Sequence, residues 1–219
     1  DLEALDPMIA QLAQAALATD PNANIVLVSD HGFAPVTQRV NLAIPFIQAG
    51  LIELAGDSPS PPSKIRSWKA QPWFAGGMAA IMLQDPQDQD TARQVEQLLR
   101  KLAADPANGI AAIRPAAEMR GAGGFPDAFC VVEFAPGFYA GGNLIGPLIT
   151  PMPPGHGGHG YSPQVPDMQA AFFISGAGIA TGRDLGVIDM RQIAPTLAAR
   201  LGVALPGATG AALNVKASP

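Results

Sequence analysis

The run Asn24-Ile25-Val26-Leu27-Val28-Ser29 is apolar and β-branched, and it stops abruptly at Asp30-His31-Gly32. Such a short apolar stretch predicts a buried strand of a parallel sheet, because alternation is lost when both faces are covered. In open α/β sheets, ligands bind just beyond the carboxyl ends of the strands. A strand that ends in Asp-His therefore brings an oxygen and a nitrogen donor to the place where chemistry sits, and Gly32 lets the backbone turn away at once.

Composition narrows the alternatives. The chain has 219 residues, enough for one large domain or a core domain with an insertion. Gly (24) and Pro (22) are abundant and only 14% of residues are charged, which predicts many turns and long loops and excludes a coiled coil or helical bundle. The formal net charge of −5 argues against a nucleic-acid duplex as partner. A small anionic substrate stays open, since bound metal supplies positive charge that the formal count omits. The single cysteine, Cys130, excludes an intrachain disulfide and reads as a buried strand thiol. No apolar run is long enough to span a membrane, and no signal peptide is visible. The chain opens at Asp1 rather than Met, which reads as a processed or excised segment.

In chain order, Asp1 to Thr19 spaces Leu2, Leu5, Ile9, Leu12, Ala13 and Ala16 as the apolar face of one helix, with Asp6-Pro7 as its first turn. Phe33 to Val40 reads as a loop, Leu42 to Ala49 as a short helix ended by Gly50, and Leu51 to Leu54 as a short strand. Asp57 to Ser63 is rich in Ser and Pro and reads as a surface loop. Trp68, Trp73 and Phe74 either line a pocket or, the favoured reading, pack a small subdomain. Strands are expected at Ala79 to Leu83, Ile110 to Arg114, Phe129 to Phe134 and, buried, at Ala170 to Ser175. Helices are expected at Asp90 to Ala104, capped by Thr91, at Ala116 to Arg120, and from an Asp189 N-cap to Gly202. Gly141 to Gly160 lacks periodicity and reads as a functional loop. The expected organisation is a core α/β segment over 1–50, an inserted or peripheral α+β lobe over 51–134, and a second core segment over 135–219.

All three histidines stand in glycine-flanked loops: His31, His156 and His159. Asp with His supplies oxygen and nitrogen donors suited to zinc, yet the same pair also occurs as a plain hydrogen-bonded turn, so bare chemistry leaves both readings open. A catalytic zinc needs three protein ligands plus water, and a closed one needs four.

Val26-Leu27-Val28-Ser29-Asp30-His31-Gly32-Phe33 resembles the Ser-Asp-His-Gly motif of the alkaline phosphatase superfamily. Gly158-His159-Gly160-Tyr161, then Pro166 to Phe173 with Gly176, and the ending Ile193-Ala194-Pro195-Thr196-Leu197 with Leu201-Gly202-Val203 resemble the type I phosphodiesterase/nucleotide pyrophosphatase family. The resemblance spans nearly the whole chain but only the C-terminal portion of the family's catalytic domain. It implies an alkaline-phosphatase-like mixed sheet flanked by helices. It further implies two divalent metal ions, zinc above all, and cleavage of phosphodiester or pyrophosphate bonds of small, nucleotide-like phosphorylated substrates.

Carried over by position, Asp30 and His31 hold the ion that activates the nucleophile and His159 holds the other. No catalytic nucleophile matches within the chain; a Thr or Ser upstream of residue 1 is expected, and so are the remaining ligands. The missing N-terminal half is then a structural partner, and the chain alone is expected to be inactive. His156 reads as a solvent-facing loop residue or a substrate contact. Tyr161 reads as a loop anchor or a substrate contact, and Asp167 as a hydrogen-bond partner of loop amides or of a ligand histidine. A phosphomonoesterase, a phosphonate hydrolase and a non-catalytic binding module are the alternatives. The resemblance points to a periplasmic or extracellular setting, with a cytoplasmic one left open.

Overall fold

The computed structural model describes residues 2–55, 64–121 and 123–217. The expected loop from Asp57 to Ser63 lies outside the described residues. The rest is a mixed α/β chain of five helices and twelve strands among the described residues. It divides into two units: one holds the residues through Ser29 together with those from Ala171 onward, and the other spans Asp30–Ala170.

The first unit begins with helix α1 (Leu2–Thr19), which contains Pro7 inside it rather than in its first turn. A proline there forfeits a single intrahelical hydrogen bond near the N-terminus, which a long helix absorbs. The predicted helix forms, but among the described residues of its apolar face Ile9 and Ala13 are half-buried and Leu5, Leu12 and Ala16 are exposed. Strand β1 (Asn24–Val28) does not lie in a parallel sheet. It pairs antiparallel with the segment Phe172–Gly176, in a register running from Asn24 opposite Gly176 to Val28 opposite Phe172. Both strands were expected to be buried, and both are partly open, with Phe173 63% exposed. A β-branched apolar run reads the same whichever direction its neighbour takes, and periodicity cannot tell how many layers cover it.

The second unit opens, after the Asp30-His31-Gly32 turn, with β2 (Ala34–Val40), where a loop was expected. Pro35 concealed a period-two pattern: Ala34, Val36 and Val40 are buried while Pro35, Thr37 and Arg39 face out. Helix α2 (Ala43–Gln48) follows, then β3 (Ile52–Ala55), paired antiparallel with β4 (Lys64–Trp68). Strands β5 (Ala70–Phe74) and β6 (Met78–Leu83) form a hairpin. Helix α3 (Gln89–Ala103) is capped by Asp88 rather than Thr91. The Asp88 carboxylate accepts from the backbone of Asp90 and Thr91 and from the Thr91 hydroxyl, which holds it below the usual carboxylate range. Strand β7 (Ile110–Pro115), helix α4 (Ala116–Gly121) and strand β8 (Cys130–Phe134) complete a four-stranded antiparallel sheet in the order β5-β6-β8-β7.

The core of this unit packs Phe46, Leu42, Leu51, Ile52, Ile81 and Val132 between that sheet, α2 and α3. Each such side chain contributes about 1.5–3 kcal/mol by leaving water. Trp68 and Phe74 pack against this core, as the subdomain reading expected, while Trp73 is exposed.

Three short strands flank β2: β9 (Gly137–Ala140) parallel to it, β10 (Ile149–Pro151) and β11 (Gly157–Gly158) antiparallel. The Gly141 to Gly160 stretch is therefore not wholly irregular: two pieces of it are strands on β2. Asn41, fully buried, ties its first part down, donating to the carbonyl of Pro147 and to Thr150 Oγ1 and accepting from the Asn143 amide. In the first unit, the Phe172–Gly176 strand is β12. Helix α5 (Ile193–Leu201) ends at Gly202, and Asp189 caps the 3-10 turn that leads into it.

Candidate metal centre

The candidate donors belong to the second unit, and the β2–β11 register explains how two of them meet. Gly158 lies opposite Ala34 and Gly157 opposite Pro35. Continuing that antiparallel register one residue sets His159 opposite Phe33. His31 is two residues before Phe33, and residues i and i+2 of extended chain share a face. The three rings accordingly cluster. The imidazoles of His31 and His159 stack with centroids 4.1 Å apart and planes 9° from parallel, and the Phe33 ring centroid lies 5.5 Å from each.

Gly32 makes this turn fit. Its amide donates to the Met168 carbonyl at 3.1 Å, and a β-carbon there would meet the Asp167 carbonyl oxygen. Only glycine lets the two backbones approach so closely.

The His31 ring is oriented by its own loop. Nδ1 lies 2.9 Å from the Gly32 carbonyl oxygen, which can only accept, so Nδ1–H donates this bond and Nε2 is the nitrogen left for a further partner. A ligand histidine is commonly held through its other nitrogen in this way. Nε2 stands 3.6 Å from Asp30 Oδ2, too far for a hydrogen bond. Two donors at 2.0–2.2 Å from one tetrahedral zinc sit roughly 3.4 Å apart, so the bite of Asp30 and His31 suits a single ion. The Asp30 side chain is 88% exposed and that of His31 32%, leaving the donors open on one side. Asp30 Oδ1 also accepts from the His31 amide at 3.1 Å.

The donor set is incomplete. Among the described residues no group of three or more His, Cys, Asp or Glu is arranged to hold a metal ion. His159 joins through its ring contact with His31, not as a third donor beside Asp30. The chemistry fits part of a centre: two donors for one ion, and a further imidazole stacked alongside.

The other candidates lie around this cluster. His156 is exposed, and its Nδ1 donates to the Pro153 carbonyl at 2.9 Å. Tyr161 is buried, its hydroxyl donates to the Phe138 carbonyl at 2.6 Å, and burial pushes its pKa up to about 12, so it stays protonated. Asp167 sits in a 3-10 turn with its side chain exposed, and its carboxylate bonds none of the three described histidines. Thr37 Oγ1 donates to the Gly137 carbonyl, and in the first unit Ser29 Oγ accepts from the Ala171 amide.

Sequence reasoning missed the residues that hold His159. The Gly77 amide donates to the His159 carbonyl at 2.9 Å, and the Tyr139 ring covers Gly158 and Gly76. A Gly-Gly pair between two strands signals a hairpin turn but not its partner.

The described residues thus define a mixed α/β protein with an Asp-His pair at the head of a strand, against a second histidine from a glycine-rich loop. The particular family follows from comparison. The family model described as type I phosphodiesterase / nucleotide pyrophosphatase matches residues 1–124, more than half of the chain, and the chain belongs to that family. The match includes Asp30-His31-Gly32 and ends before Gly158-His159-Gly160-Tyr161. No curated protein matches the chain. Among the described residues no helix is long and apolar enough to cross a membrane.

Proposed function

We propose that the chain supplies part of the bimetallic centre of a hydrolase that cleaves phosphodiester or pyrophosphate bonds in small, nucleotide-like substrates. Asp30 and His31 hold one divalent ion, zinc above all, and His159 holds the other. The observation that carries this reading is the 4.1 Å stack of His31 on His159, beside an Asp30–His31 bite suited to one ion, in a chain of this family. Paired ions in such enzymes lie about 3.5–4 Å apart, close to the separation of the two rings.

Bound ions of this kind lower the pKa of a nucleophilic hydroxyl and neutralise charge on the phosphoryl oxygens. The chain's own residues do the rest of their part locally. The Gly32 carbonyl holds the proton on His31 Nδ1 and turns Nε2 toward Asp30. The exposed flank of Asp30 leaves room for an anionic group. Too few donors for two ions lie among the described residues; in this reading the remaining ligands and the Thr or Ser nucleophile are supplied by a segment upstream of residue 1. An alkaline-phosphatase-like sheet, with 51–134 as an inserted lobe, belongs to the same proposal, as does a periplasmic or extracellular setting.

The test is hydrolysis of bis-p-nitrophenyl phosphate by the zinc-loaded full-length protein, beside p-nitrophenyl phosphate as the monoester control. Diester cleavage that Asp30→Ala abolishes is expected, with none from the isolated 219-residue chain. Turnover confined to the monoester would make it a phosphomonoesterase, and turnover indifferent to Asp30→Ala would remove the centre altogether.

A further inference from the structure

The turn between β5 and β6, Ala75-Gly76-Gly77, is fastened on three sides. Gly76 offers its carbonyl to the Ala140 amide and Gly77 offers its carbonyl to the Phe134 amide, each at 2.9 Å. The Gly77 amide reaches out to the His159 carbonyl, also at 2.9 Å. Gly76 has φ +76°, and a β-carbon there would fall on the His159 carbonyl oxygen and against the Tyr139 ring. One built on Gly77 would strike the ring of Tyr161. The approach is mutual, because a β-carbon on Gly160 would meet the Ala75 carbonyl oxygen.

We propose that this hairpin turn is the positioning element for His159, setting the backbone from which its imidazole reaches the His31 ring. Ala75, Gly76 and Gly77 carry no polar side chain. They act through the histidine's carbonyl, and the role rests on the metal reading above only for its consequence in zinc binding. A loop as rich in glycine as Gly155 to Gly160 does not fix an imidazole by itself. Here the rigid four-stranded sheet holds it through one hydrogen bond and a steric stop. Supporting a ligand from a rigid element in this way keeps a site within its working geometry.

The test uses two readouts. In the metal-free full-length protein the stacked rings shift one another's imidazole proton resonances, and those of His31, His156 and His159 are assigned by single substitution. Gly76→Asn keeps a residue that tolerates positive φ but inserts a β-carbon against the His159 carbonyl. Gly50→Asn is the control, because Gly50 has φ +70° with open space around it. Gly76→Asn is expected to move the His31 and His159 resonances and leave His156 in place, and Gly50→Asn to move none. In calorimetric titration of the full-length protein with zinc alone, Gly76→Asn is expected to weaken one binding step tenfold or more, the step His159→Ala removes. Should Gly76→Asn fail to fold by circular dichroism, Tyr139→Leu, which uncovers the same contact, is read instead. Unmoved imidazole resonances with wild-type zinc binding overturn the positioning role. Moved resonances together with zinc binding that His159→Ala leaves intact support the positioning role and overturn the metal reading instead.

Discussion

The imidazole of His31 lies flat on that of His159, 4.1 Å away, although 127 residues of chain separate them. Two imidazoles stacked through their faces leave their edge nitrogens free to donate in parallel. His31 has its Nδ1 committed to the Gly32 carbonyl, so Nε2 is the nitrogen left to bind an ion. The two rings are expected to serve different ions. His31→Ala and His159→Ala should then each lose one zinc per full-length protein, by metal analysis after dialysis, and each should lower diester turnover by about 10²-fold or more. Loss of both ions from either variant would mean a single shared site.

Asn41 is a second place where one side chain has long-range consequences. It is fully buried, and it ties residues 143, 147 and 150 to the end of β2. Asn41→Ala leaves the Asn143 amide without its acceptor and opens a cavity, so a loss of about 2 kcal/mol is expected. Urea unfolding checks it, with an unchanged m-value. Asn41→Asp should do worse, because it places a carboxylate where the Pro147 carbonyl needs a donor.

What the sequence made legible follows from the reach of each pattern. The spacing of Val95 and Leu99 on one face is a local signal, and α3 forms within a residue of where it is expected, with Asp88 in place of Thr91 as the cap. Helix α5 likewise follows from Asp189, Pro195 and Gly202. Strand β2 was hidden because Pro35 argued against a strand, although its neighbours alternate inward and outward. The direction of β1 was beyond reach, since Ile25 to Val28 carry no mark of what lies beside them. Asp30, His31 and His159 could be named as candidates from the sequence. The ring of Phe33 beside them and the turn at Gly76 could not, because both depend on contacts with residues far away in the chain.

Cys130 is buried on β8, and burial raises its thiol from the ordinary 9.0 to about 12. The thiolate is the reactive form, so this residue is expected to be inert in the folded protein. Incubation with Ellman's reagent at pH 8 should label less than a tenth of the thiol natively and all of it in guanidinium. Rapid native labelling would mean that the four-stranded sheet opens locally.

Cys130 and Tyr161 together set an alkaline limit on stability. Both have folded pKa values near 12, against ordinary values of 9.0 and 10.0, in each case first because burial disfavours the charged form. For an acid whose folded pKa is raised, the unfolded chain gives up its proton first. The contribution is therefore whole below pH 9 and is lost as pH climbs from there toward 12. Thermal melts between pH 7 and pH 11 should show a falling Tm that begins near pH 9. Tyr161→Phe removes the hydroxyl and its hydrogen bond to the Phe138 carbonyl, at a cost of about 1 kcal/mol at pH 7. It also removes one of the two titrating groups, so its melting curve should converge on that of the wild type as the pH rises above 10. A constant offset across the whole range would show that the tyrosine hydroxyl is not the group being titrated.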